Sequence, residues 1–288
     1  MSKLKIGLKQ ANILCNITQE ERMDLIAEGL PIILKSAQGF WLAAKHLKDN
    51  RREADILEGF AKEEAAKILI LMDIVRCPQN LIGSKIGMLA GLLYNHLARL
   101  LYAEAQQWKP VTVSRLRSYV DEQRKAHYVD GFAGEFILPN WSIATRESQL
   151  YADIAVYEND KPIWNEPISY SLGFPRYKPL ALQIAESLSS IGGFDRQGLT
   201  AIAKVWGQIE FKSLESWSDS ERLTTELLEQ LYRENLYREQ ATQQNFNWLF
   251  GNWQMPMYNL DFSLIYVSLA ELKSEQDSML WAEVGYSN

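Results

Sequence analysis

Cysteine, histidine and long apolar runs are all scarce in this sequence, and each scarcity closes a class. Cys15 and Cys77 are the two cysteines among 288 residues. A disulfide scaffold and a four-thiolate zinc site are thereby excluded, and two lone thiols suit a reducing, cytoplasmic compartment. The histidines are His46, His96 and His127, so a metal centre would have to be built mainly from carboxylates, and no pattern arranges one. Neither Glu-x-x-His nor His-Glu-x-x-His occurs, which removes the di-iron bundle and the zinc protease. Gly-x-x-x-x-Gly-Lys-Ser/Thr and Gly-x-Gly-x-x-Gly are missing too, so a P-loop and a Rossmann site lack support. No cofactor is expected. The longest apolar window, Ile86 to Tyr94, spans nine residues and includes Gly87 and Gly91. A bilayer needs about 20 apolar residues, so no membrane span is expected. Lys3, Lys5 and Lys9 precede no continuous apolar stretch, which is not the plan of a secretory signal.

What is present is a soluble balance of 47% apolar and 23% charged residues, with a net charge of -6. The charge is uneven. Residues 1–135 carry 19 Lys and Arg against 16 Asp and Glu, whereas residues 136–288 carry 11 against 20. A mildly basic first half can meet RNA phosphates locally, while the acidic total argues against unspecific coating of nucleic acid. Solvated helices alone would give the same imbalance.

Residues 1–135 read as helices. Thr18 with Glu21 forms a capping box, and Gly29-Leu30-Pro31 predicts a break with a new helix from Pro31 to about Lys48. From Arg52 the apolar positions Leu57, Phe60, Ala61, Ile68, Leu71 and Val75 recur at the helical period until Cys77-Pro78. A third long helix carries Ile86, Leu89, Leu93, Leu97 and Leu100 to a close at Lys109-Pro110, and a fourth runs from Val111 to about Arg124. The expected fold is all-α, an antiparallel helical bundle over 1–135. Residues 136–179 form an ordered connector, because 131–179 hold five of the nine prolines. Short strands are expected at Tyr151 to Tyr157 and Ile163 to Trp164. Residues 180–288 return to helix, at Leu180 to Leu188, Gln197 to Leu214, about Glu221 to Phe246 with Ser218-Asp219-Ser220 as cap, and Phe262 to Glu275.

Three groups of side chains can carry chemistry. Glu64 falls on the stripe of Phe60, Ile68 and Leu71, so its partly buried carboxylate needs a cation, and Lys67 stands one turn on. An interhelical ion pair fixing register explains the pair equally well. His96 and Arg99 lie three residues apart at the edge of a leucine stripe; an imidazole moves protons near neutral pH and a guanidinium grips phosphate. A histidine flanking a core is the plain alternative. Arg117, Arg124 and His127 fall near one helical face, where they can contact an RNA backbone. Tyr128-Val129-Asp130-Gly131 then ends that helix, with Asp130 shaping the exit and Tyr128 anchoring it in the core.

The run Gly29-Leu30-Pro31-Ile32-Ile33-Leu34-Lys35-Ser36-Ala37, followed by Ala43 and Leu47, and the run Ala61-Lys62-Glu63-Glu64-Ala65-Ala66-Lys67 together resemble the abortive-infection V (AbiV) group of HEPN-domain proteins. His96-Leu97-Ala98-Arg99 is similar to that group's His-x-x-Lys/Arg, and Arg124 to Asp130 resembles its basic segment leading into Tyr-Val-Asp. The likeness spans about residues 18–135. It implies a HEPN bundle, commonly a homodimer, serving defence against phage. It also implies an RNA partner, a phage protein as trigger or inhibitor, and in many members metal-independent cleavage of single strands in a cleft between protomers. Under that reading His96 carries the proton, Arg99 and Arg124 clamp phosphate, and Glu64 and Lys67 orient the cleft. The widespread HEPN nuclease signature places Arg four to six residues before His, and no histidine here has that neighbour. The competing reading is a HEPN scaffold that blocks a phage or translation component through protein contacts of its acidic, Trp-rich second half.

Overall fold

The computed structural model describes residues 9–156, 161–170 and 175–285. Lys3, Lys5 and Tyr157 lie outside them. The fold is all-α, with twelve helices and two small antiparallel hairpins among the described residues. After α1 (Lys9–Asn16), the Thr18–Glu21 capping box opens α2 (Gln19–His46). This helix is continuous, which corrects the expected break at Gly29-Leu30-Pro31. Pro31 removes one backbone donor and crowds the Ala27 carbonyl. Burial of Leu30, Leu34 and Ala37 nevertheless keeps both halves in line.

Four residues return the chain into α3 (Arg51–Arg76), the centre of the molecule. From Ala61 to Arg76 it is buried on nearly every side, and it packs against α2, α4, α5, α7, α8 and α9. A helix covered all round reads as apolar all round, as Ile68-Leu69-Ile70-Leu71-Met72 does. The single helix expected between Cys77 and Pro110 is two, α4 (Gln79–Leu92) and α5 (His96–Ala105). The Asn95 side chain accepts from the Ala98 N–H at 3.1 Å and so starts α5 at His96. Helix α6 (Val113–Gln123) then stops before the residues expected to end it.

His127–Asp130 is a strand, β1, paired with β2 (Phe136–Pro139). Asp130-Gly131 therefore opens a hairpin turn, where Gly131 and Gly134 sit at φ +98° and +72°, angles that suit a residue without Cβ. Tyr128 is half-buried on β1 and absent from the core, contrary to its expected anchoring role. The connector also holds a helix, α7 (Trp141–Leu150), and a second hairpin, β3 (Asp153–Val156) with β4 (Pro162–Asn165). Asn140 locks α7 in place: its side chain caps Ile143 and donates to the carbonyls of Gln123 and Lys125.

The remaining helices are α8 (Leu180–Ser190), α9 (Arg196–Trp206), α10 (Trp217–Arg233), α11 (Gln243–Asn252) and α12 (Leu269–Gly285). The long helix expected over 221–246 is thus two. Asn235 at φ +55° turns the chain after α10, and Thr242 with Asn245 caps α11. Ser216, paired with Asp219, is the cap of α10 in place of Ser218-Asp219-Ser220. Phe262 belongs to a buried irregular segment before α12, stacked 4.8 Å from Tyr102.

One hydrophobic core runs from Leu14 to Phe262 and includes residues of both the first half and the helices after 180. A buried polar network fastens it. Asp73 accepts from Arg76 on one oxygen, and from the Tyr102 hydroxyl at 3.0 Å and the Met257 N–H at 2.7 Å on the other. Arg76 donates to the Gln254 carbonyl at 2.9 Å and lies 4.7 and 4.3 Å from the Trp206 and Trp253 ring centroids. Both charges are thereby paired and hydrogen-bonded, the condition on which buried ions persist.

Candidate functional site

The deepest carboxylate near the expected site is Glu63, the neighbour of Glu64. Its side chain is 5% exposed and receives groups from two other helices. Oε1 accepts from Arg146 Nε of α7 at 2.8 Å. Oε2 accepts from Arg99 Nη2 at 2.9 Å and lies 2.8 Å from His96 Nδ1, both of α5. Glu63 is thus the junction of α3, α5 and α7. Burial, the largest influence, pushes its carboxyl toward protonation, but the Arg146 hydrogen bond, the Arg99 charge and the His96 hydrogen bond together prevail and hold it below the ordinary carboxylate range.

His96 sits at the first position of α5 with its side chain 54% exposed. Nδ1 lies against Glu63 Oε2 and also 2.7 Å from Arg99 Nη2. A proton on Nδ1 is donated to the carboxylate, which leaves Nε2 as the basic nitrogen, with Arg99 Nη2 3.4 Å from it; without that proton Nδ1 accepts from Arg99. The site can therefore hold the ring in either form. Arg99 is 8% exposed, and among the described residues its buried Nε has no hydrogen-bond partner. Its fork is committed to Glu63 and His96, which makes it a positioning group more than an open phosphate clamp.

The imidazole opens into a hollow of about 210 Å³ lined by Phe40, Phe60, Glu63, Glu64, His96, Arg99 and Arg146. Glu64 and Lys67 do pair, within α3, and Glu64 reaches this hollow while Lys67 does not line it. The second expected group is not assembled. Arg117 donates to the Lys212 carbonyl, and Arg124 is held by Asp121, Asp261 and the Ser263 carbonyl. His127 is exposed on β1. The helix ends at Gln123, so the helical spacing that aligned Arg124 with His127 does not apply. None of the three lines the His96 hollow.

Glu63 and Arg146 were missed in the sequence. Glu63 stands next to the residue chosen by periodicity, and Arg146 lies in a stretch read as connector. Both also line a larger adjoining cavity of about 540 Å³ between α3, α5 and α7. Among the described residues no group of three His, Cys, Asp or Glu side chains can hold a metal ion, and no helix is long and apolar enough to cross a membrane. No family model, curated protein or solved structure matches the chain.

Proposed function

We propose that this is a HEPN-type antiphage protein of the AbiV kind, cytoplasmic and homodimeric, which acts on single-stranded RNA as a metal-independent endoribonuclease. The family part of this reading rests on the motifs between residues 18 and 135. The observation that carries the chemistry is the exposed His96 imidazole, backed by a buried carboxylate that is itself held by two arginines. With Nδ1 donating to Glu63, Nε2 takes the proton of a ribose 2'-hydroxyl. The 2'-oxygen attacks the adjacent phosphorus, the bond to the 5'-oxygen breaks, and the leaving oxygen takes a proton from water. The products are a 2',3'-cyclic phosphate and a 5'-hydroxyl end. Arg146, mostly buried at the rim of the hollow and paired with Glu63 and Glu147, places a guanidinium beside the phosphate, and Arg99 holds the ring. RNA contact through Arg117, Arg124 and His127 is a separate surface under this reading, with Arg124 secured by two aspartates.

The test is incubation of purified protein with single-stranded RNA in EDTA. His96→Ala is expected to lower cleavage by about 10²- to 10⁴-fold, the usual worth of general acid–base catalysis, and Arg99→Ala to lower it through misplacement of the ring. Cleavage unchanged in both variants overturns the assignment.

A second reading, a non-catalytic HEPN scaffold that blocks a phage or translation component, is favoured by the apolar exposure of both hairpins and α7. Phe132, Phe136, Trp141, Ile154 and Trp164 are each more than half exposed, and aromatic surface of this kind suits protein contacts. A bound protein that survives RNase treatment, with no cleavage by the wild type, selects this alternative.

A further inference from the structure

The larger cavity next to the His96 hollow has walls and polar groups that the proposed cleavage step does not use. Its volume of about 540 Å³ lies within the range of small-molecule sites. Most of its charges are already neutralised. Arg176 pairs with Asp55 at 2.5 Å and Glu58 at 2.9 Å, Lys62 pairs with Glu58 at 2.8 Å, and Glu63 is held by Arg99 and Arg146. Glu104 of α5 is different. Among the described residues no cation pairs with it, and its Oε1 accepts from the Ser142 hydroxyl at 3.0 Å, which leaves Oε2 available. Burial pushes its carboxyl up, against the smaller opposing effects of Ser142 and Lys62. Thr145 of α7 lines the same cavity, and among the described residues its buried hydroxyl has no hydrogen-bond partner. An orphaned hydroxyl and a half-satisfied carboxyl on residues that line one cavity are groups that a ligand can complete.

The walls are aromatic. Trp141 meets Tyr170 edge-on at 5.5 Å and remains 55% exposed, so its indole keeps a face on which a flat ring can stack. Phe60, Glu63 and Arg146 line both this cavity and the hollow that holds His96. A nucleotide whose phosphate lies at Arg146 therefore has the cavity within reach of its base.

We propose that the cavity is a base-recognition site for cytosine or adenine, stacked on Trp141 and read by Glu104 and Thr145. Glu104 Oε2 accepts from the exocyclic amino group, and the Thr145 hydroxyl donates to the neighbouring ring nitrogen. That donor-next-to-acceptor edge is shared by cytosine and adenine. Uracil and guanine present a carbonyl and a ring N–H there, which sets two acceptors together at Glu104, whereas the Thr145 hydroxyl can donate or accept and meets either ring nitrogen, so discrimination falls to Glu104. The proposal deepens the RNA reading and rests on it for the identity of the ligand.

The experiment is calorimetric titration of the full chain with CMP, AMP, UMP and GMP. CMP or AMP is expected to bind at least about 10-fold tighter than UMP and GMP, in line with one good base-edge pairing. Glu104→Leu is expected to erase the preference, and Trp141→Ala to weaken binding of every nucleotide about 10-fold, the worth of one stacked base. Thr145→Val, which exchanges a hydroxyl for a methyl group, is expected to weaken every nucleotide alike, and Glu104→Gln, whose amide both donates and accepts, tests the preference if Glu104→Leu does not fold. Equal binding of all four nucleotides, no binding of any, or a preference unchanged in Glu104→Leu and Glu104→Gln overturns the site. Those outcomes leave the His96 cleavage test untouched. Conversely, selective binding by a wild-type protein that cuts no RNA upholds the base site and removes only the nuclease reading.

Discussion

Removing the Glu63 carboxylate leaves the Arg99 and Arg146 guanidinium groups facing one another in a poorly solvated junction. Breaking a buried ion pair from one side typically costs about 3–5 kcal/mol, so Glu63→Gln is expected to lower unfolding stability in urea at pH 7 by that order. A change below about 1 kcal/mol, the scale of surface pairs, would show that the three helices do not depend on it. The pH dependence has a definite sign. The Glu63 carboxyl is depressed in the folded state from an ordinary value of 4.5. Its stabilisation is therefore complete above that value and is lost as pH falls through the folded pKa. The gap between wild type and Glu63→Gln should shrink on acidification below about pH 4.5. Glu104 runs the other way: its folded-state carboxyl is raised, so it costs stability once pH exceeds 4.5. Glu104→Gln should then gain on the wild type as pH rises through that region. At this scale the sequence showed that a carboxylate on this helix must be met by cations, yet pointed to Glu64. The stripe logic assumes one buried face, and α3 is covered on several, so the neighbouring position lies deeper.

At the scale of elements, capping chemistry was legible and continuity was not. Thr18 with Glu21 marked the start of α2 correctly, because the box satisfies backbone donors using only local residues. Pro31 misled, because tertiary burial of Leu30 and Leu34 outweighs the local disruption. Pro31 itself is exposed. Pro31→Ala should accordingly restore a helical hydrogen bond and stabilise the protein by up to about 3 kcal/mol, the usual cost of an interior proline; destabilisation in urea unfolding contradicts a continuous α2. Asn95 was overlooked inside an apolar run, although it divides α4 from α5 and sets His96 at a helix start. Asn95→Ala is expected to cost about 1 kcal/mol and to lower RNA cleavage with it, because the cap fixes the backbone that carries the imidazole.

For the whole molecule, the binding fact is that α3 is covered by helices from before residue 135 and from after residue 180. The Asp73 and Arg76 charges fasten α3 to Tyr102, Gln254 and Met257. Asp73 interrupts the apolar run from Ile68 to Val75, a signal of internal pairing that was visible in the sequence. Its partners were not, since Gln254 and Met257 lie in an irregular segment distant along the chain. Unfolding should be a single cooperative transition by circular dichroism and tryptophan fluorescence alike, and Asp73→Ala should lower it by about 3–5 kcal/mol. Two separated transitions, one for residues before 135 and one after 180, would contradict a shared core. The all-α class was legible from periodicity. The site was legible only in part, because it is a meeting of three helices, and one of them, α7, lies in a proline-rich stretch that gives a weak helical signal.

The central functional claim is that the Nε2 edge of His96 meets the RNA strand. The most direct test is a nitrogen–proton correlation spectrum of the imidazole side chains, assigned with His96→Ala, recorded while a cleavage-resistant single strand with 2'-deoxy sugars is added. The His96 Nε2 resonance is expected to shift as the strand saturates the protein, while His46, the last residue of α2, stays in place. A strand that binds while leaving His96 unmoved would contradict that claim.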